Sequence, residues 1–213
     1  MDLHERFNRL DLFIAEKRLI RKAWTGENNG RQTACLLAAL SPETGEQETA
    51  AVCPASLMPR WLAELTPWID DAGSDTAWLS VVKRYATLAR RWHVLEPEAW
   101  RRLDYQVRAL SVREAMSHTQ EQYAIDVCTR VAVLCELAAS GSDIAVEQWS
   151  AAWSAARSAK SAKSAAWSAK SAARSAWSAV WSAKSAKSAA ADRLTVAILN
   201  AIEKAIVEAE ANV

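Results

Sequence analysis

Phenylalanine occurs only twice in 213 residues, and glycine and proline five times each. So few turn-forming residues exclude collagen-like and Pro/Gly-rich disordered chains, and they argue against an all-β fold built on many tight turns. No run of about 18 apolar residues exists, which excludes a membrane-spanning helix. The opening MDLHERFNRLDLF carries charge throughout and does not read as a secretion signal. Cys35, Cys53, Cys128 and Cys135 show no CxxC spacing, and with a cytosolic-looking start they read as buried thiols rather than disulfides or zinc ligands. GxGxxG, Walker, GxSxG and HExxH sequences are all missing.

What the chain has instead is tryptophan, eleven copies, and a tract of almost two letters over residues 149–190: WSAAWSAARSAKSAKSAAWSAKSAARSAWSAVWSAKSAKSAA. Serine recurs there in steps of three and four, near the helical period and far from the strand period of two. Alanine is the best helix former, and neither glycine nor proline interrupts. The spacing predicts helix. Ser and the Ala after it make one wide face of small side chains, which we expect to lie against a neighbouring helix. The residue before each Ser forms a ridge: Trp149, Trp153, Arg157, Lys160, Lys163, Trp167, Lys170, Arg174, Trp177, Trp181, Lys184 and Lys187. As scaffold, the rings of this ridge fold over into the core. As a binding surface, its rings stack and its cations pair with phosphates or carboxylates. The scaffold reading is the simpler one. A single helix of this length would run about 60 Å, against a radius of gyration near ~17 Å for a compact chain of this size. The tract is therefore one projecting helix or several shorter ones, with any Ser able to cap a new start.

The net charge of +1 hides a partition. Seven basic side chains and no acidic one fall in 149–190, leaving 19 basic against 25 acidic residues elsewhere. Such a strip is neutralised within the chain, the simpler case, or meets an anionic partner.

The rest of the chain reads as amphipathic helix. Asp2 and Glu5 form a capping pair before a helix with Leu3, Phe7, Leu10 and Ile14 on one face, ending near Trp24 at the turn cluster GENNG. Thr33–Leu40 reads as a short buried helix and residues 42–50 as a loop. Pro59 and Pro67 each suit the first turn of a short helix, and Asp70 to Ser74 turns the chain. A helix over 75–92 buries Trp78, Val81, Tyr85, Leu88 and Trp92. Another starts at Glu96-Pro97, and Ser111 with Glu114 forms a capping box for the next, which stops at Gly141. Residues 192–210 form the last, with Leu194, Ile198, Ile202 and Ile206 in register. No strand pattern competes. The expected architecture is an all-α helical bundle, with a long or broken Ala/Ser-rich repeat helix packed against the N-terminal helices. Residues 1–141 form the N-terminal region and 142–213 the repeat and last helix, packed together as one domain.

Catalytic constellations are thin. Glu114, His118 and Glu121 have a spacing that can hold a metal ion, but without a second His an exposed polar patch is the simpler reading. Cys128 and Cys135 lack a nearby His to activate a thiolate. Asp70 and Asp71 can serve as paired carboxylates or simply make a turn. We therefore expect no catalytic residues, no metal and no cofactor. The candidate binding residues are Trp153, Arg157, Lys160, Lys163, Trp167, Lys170, Arg174, Trp177, Trp181, Lys184 and Lys187. A ridge of rings and cations suits single-stranded nucleic acid in kind, but the cations are sparse, and a membrane-surface helix would need a broad apolar face that is missing.

The WSAA and RSAA units resemble alanine-rich repeats in uncharacterised proteins of phages, prophages and bacteria. More loosely, the tract is similar to immunity proteins of polymorphic toxin systems, whose alanine-rich helical runs carry interspersed His, Trp or Arg. His is missing from this tract. The resemblance implies a small accessory protein of mobile elements, acting in the bacterial cytoplasm on a protein partner. The first expectation is an inhibitor of a bacterial defence component, anti-CRISPR-like in behaviour. The alternatives are an immunity protein neutralising a cognate toxin, or a sink for anionic signalling nucleotides.

Overall fold

A computed structural model describes residues 1–158 and 187–211. The architecture is all-α, with one small β-hairpin among the described residues. It divides into two compact units, Met1–Val94 with Ala209–Val213, and Leu95–Glu208.

The first unit opens with α1 (Leu3–Ala15), started by the expected box: Asp2 accepts from the Glu5 N–H and Glu5 from the Asp2 N–H, both at 2.8 Å. Its inward stripe is Arg6, Leu10 and Phe13, while Leu3 is exposed. The expected run of this helix to Trp24 is overturned, since it stops at Ala15. A hairpin comes next in the chain, β1 (Thr25–Asn28) antiparallel to β2 (Arg31–Ala34), with Asn28 opposite Arg31. Asn29 and Gly30 take positive φ of 51° and 71° at its turn. Asn-Gly is the pair that a tight hairpin with matching strand twist demands, so GENNG is a turn inside a sheet and not merely a helix stop.

The hairpin leads into α2 (Leu36–Leu40), five residues of LLAAL, all buried, so the burial expected over 33–40 holds although Thr33 and Ala34 belong to β2. The expected loop over 42–50 is largely helical: α3 (Pro42–Glu46) is followed by a 3₁₀ turn at Ala50–Val52. Gly45 allows this, since a Cβ there would meet Thr25 Cγ2 at 2.7 Å and Ala38 Cβ at 3.0 Å. Pro67 does not begin a helix. It lies inside α4 (Arg60–Asp71), where it removes one rung of the helical ladder. Ser74 caps α5 (Asp75–Ala89) through the Ala77 N–H at 3.2 Å. As expected, Val81, Tyr85, Leu88 and Trp92 are buried; Trp78 is half-buried.

In the second unit the capping box expected at Ser111 is overturned, because α6 (Pro97–Met116) runs straight through it. The Ser111 hydroxyl is buried and donates to the Val107 carbonyl at 2.8 Å, so the helix satisfies the group itself. α7 (Gln122–Ala139) ends as foreseen near Gly141, whose φ is 89°. Ala109, Val112, Val131, Ala132, Cys135 and Ala152 form a buried cluster across α6, α7 and α8 (Val146–Ser158). α9 (Lys187–Glu210) buries Leu194, Ile198, Ile202 and Ile206 in the expected register. Among the described residues no helix is long and apolar enough to cross a membrane.

Candidate functional site

Of the candidate binding residues, Lys160, Lys163, Trp167, Lys170, Arg174, Trp177, Trp181 and Lys184 lie outside the described residues. Trp153 and Arg157 belong to α8, and Lys187 opens α9, but the description does not extend to their side chains. The tract is visible where it enters. There the Tyr105 and Trp149 rings stack, centroids 6.0 Å apart and planes 21° apart, and Trp149 packs against the cluster that includes Ala152. Ser150, Ala151 and Ser154 are exposed. Over these turns the expectation that the Ser/Ala face lies against a neighbour is overturned, and the helix is turned half round. The reason is energetic. Burying an indole removes far more apolar area from water than burying alanines, whereas a buried serine hydroxyl needs a partner.

The most developed polar centre surrounds α2 in the first unit. A buried helix of five residues leaves its end groups without helical partners and without water. Other elements supply them. The Asp70 carboxylate of α4 accepts from the Leu36 N–H at 2.9 Å, and the Cys35 sulfur from the Ala38 N–H at 3.4 Å. At the other end one Arg9 nitrogen donates to the carbonyls of Ala38 and Ala39, both at 2.7 Å. The second oxygen of Asp70 accepts from the Trp78 indole N–H at 2.7 Å. Asp70 is thus a buried joint between α4, α2 and α5, and the expectation of a simple turn at Asp70-Asp71 is corrected. Its place was legible in principle: Leu62, Thr66 and Asp70 are spaced four apart on the inward stripe of α4. Burial lifts its carboxyl to about 6, and the two N–H bonds limit the rise. Arg21 closes the same corner, donating to the carbonyls of Asp70, Asp71 and Gly73 at 2.6–2.9 Å and pairing with Asp75.

Beside this, Arg6 grips Glu43 through both carboxylate oxygens, and its hydrogen bonds bring the Glu43 carboxyl down to about 2. Cys35 and Cys135 are buried, and burial pushes each thiol up to about 11. These are protonated packing groups rather than nucleophiles. Glu114 receives His118 at 3.3 Å and Arg193 at 2.7 Å, tying α6 to α9. No group of three potential metal ligands gathers among the described residues.

Charge pairing recurs over the body. Arg90 pairs with Asp11, Arg91 with Glu210, Arg108 with Asp104, Arg113 with Glu136, and both Arg101 and Arg102 with Glu98. No family model, curated protein or solved structure matches the chain.

Proposed function

We propose that this protein acts by binding rather than by catalysis, as a phage or mobile-element accessory protein that occupies and inhibits a bacterial defence component in the host cytoplasm. The contact surface of this reading is the cationic, tryptophan-bearing repeat. The observation that carries it is the partition of charge: seven cations and no acid in 42 residues, beside a body with more acids than bases. Many carboxylates of that body are already committed to its own arginines, such as Glu43 to Arg6, Asp104 to Arg108 and Glu136 to Arg113. Seven cations with no acid among them make a strip able to attract an acidic partner. The buried groups that resemble reactive ones are used to join helices, as Asp70 is, or are held as neutral thiols.

The test is expression of the full chain in bacteria that restrict phage through a defined defence system, with phage plating as the readout. The wild-type chain restores plating. The variant with Lys160, Lys163, Lys184 and Lys187 all changed to Glu loses that effect while its circular dichroism stays helical. If no defence system is relieved, or the charge-reversed variant acts like wild type, the reading falls. Rescue from a co-expressed toxin instead would replace it with the immunity reading.

A further inference from the structure

Helix α7 has only three charged side chains, Asp126, Arg130 and Glu136. Arg113 of α6 holds Glu136 through two bonds of 2.9 and 3.0 Å. A helix with one face in a core and the other in water ordinarily fills the outer face with charge. The outer face of α7 departs from this. One stripe of it runs Tyr123, Asp126, Arg130, Val133 and Leu137, all exposed, in alternating steps of three and four. Tyr123, Val133 and Leu137 leave 46%, 40% and 42% of their surface in water. Such steps make the seam by which one helix lies along another. The stripe is separate from the buried side of α7, formed by Ala124, Val127, Val131, Cys135 and Ala138.

The two charges at the middle of the stripe say what fits it. Asp126 accepts from the Gln122 amide at 2.8 Å through one oxygen. Arg130, one turn further on, has no hydrogen-bond or ion-pair partner among the described residues. Arg101, Arg102, Arg108, Arg113 and Arg193 of the same unit each pair with a carboxylate, so Arg130 stands apart. An acid followed by a base one turn later is complementary to itself when reversed. A second α7 running antiparallel sets its Arg130 opposite Asp126 and its Asp126 opposite Arg130. The same register brings Tyr123 against Val133 of the second copy, and Leu137 extends the apolar contact at each end. A parallel copy sets acid on acid and base on base.

From this pattern we propose that two copies of this chain associate through the outer face of α7, antiparallel, about a two-fold axis midway between Asp126 and Arg130. The contact is isologous: one patch meets itself, and the contact closes at two copies. The apolar side chains supply the attraction. The two ion pairs, both exposed, add little affinity but fix direction and register. One helix face is at the small end of specific interfaces, so the dimer is reversible, with half-association at roughly 10–1,000 μM.

The test is sedimentation equilibrium of the full chain from about 10 μM to about 1 mM. Wild type passes from monomer to dimer and no further. Asp126→Arg and Arg130→Asp each make the stripe single-signed, and each weakens self-association about tenfold or more. Both positions are exposed, so circular dichroism stays that of wild type. Mixed in equal amounts, the two variants pair with each other. The double variant, with the charges exchanged, self-associates as wild type does, whereas Val133→Lys stays monomeric. The proposal is overturned if wild type is monomeric throughout, if either single variant self-associates as wild type, or if the mixture and the double variant stay monomeric.

Discussion

Asp70 carries two acceptor bonds at 1% exposure, so its ionisation is tied to the stability of the unit that encloses it. Its folded carboxyl titrates near 6, above the ordinary 3.8. A raised carboxyl binds its proton more tightly in the folded state than in the unfolded one. Its favourable contribution is therefore full below 3.8 and is lost as pH rises through 6. The difference between the two ends is roughly 3 kcal/mol. Glu43 works in the opposite direction, since its depressed carboxyl stabilises above 4.5 and loses that effect as pH falls towards 2. Denaturation of wild type and Asp70→Asn at about pH 3, 4.5 and 7.5 separates the two. Asp70→Asn should flatten the stability loss between about 4.5 and 7.5, leaving the loss below 4.5 from Glu43 in place. An unchanged difference would mean that Asp70 titrates normally. A second residue-level case is Gly30, where a Cβ would find no atom within 4 Å but φ is +71°. Gly30→Ala should then lower stability by about 1 kcal/mol from backbone conformation alone, measured by urea unfolding.

Among the elements, α2 gives the sharpest expectation. Its carbonyl end depends on Arg9, so Arg9→Met, which keeps much of the apolar stem, should cost about 1–3 kcal/mol by leaving the Ala38 and Ala39 carbonyls unserved. Equal denaturation midpoints for the two proteins would refute this. The same helix shows what is legible in the chain. Its composition announces burial, and the stripes of α5 and α9 announce themselves through Val81, Tyr85 and Leu88 or Leu194, Ile198 and Ile202. The hairpin escapes such a reading because its strands TGEN and RQTA are largely polar and exposed, so they show no alternation; only Asn29-Gly30 marks it. Pro67 and Ser111 mislead for a shared reason: each is a boundary residue by local preference, and in each case the surrounding apolar stripe keeps the helix going. Trp149 is the remaining lesson. Serine spacing reveals the period of the repeat, but which side turns inward is decided by the Tyr105 ring on another helix, which local pattern does not contain.

For the whole molecule, the partition of charge sets the expected behaviour in salt. Binding of an acidic partner through the repeat should weaken steeply as ionic strength rises, measured as affinity at two salt concentrations. Folding stability, which rests on apolar stripes and partly buried pairs, should change little over the same interval. A salt-independent affinity would move the contact away from the lysines. The sealed helix α2 has a further consequence. Its end groups gain their partners from Arg9 and Asp70, far along the chain, so Leu36–Leu40 has no means of closing in isolation. Protons on those nitrogens should trade with deuterium only when the entire first unit opens, making this five-residue segment, short as it is, the slowest to exchange in that unit.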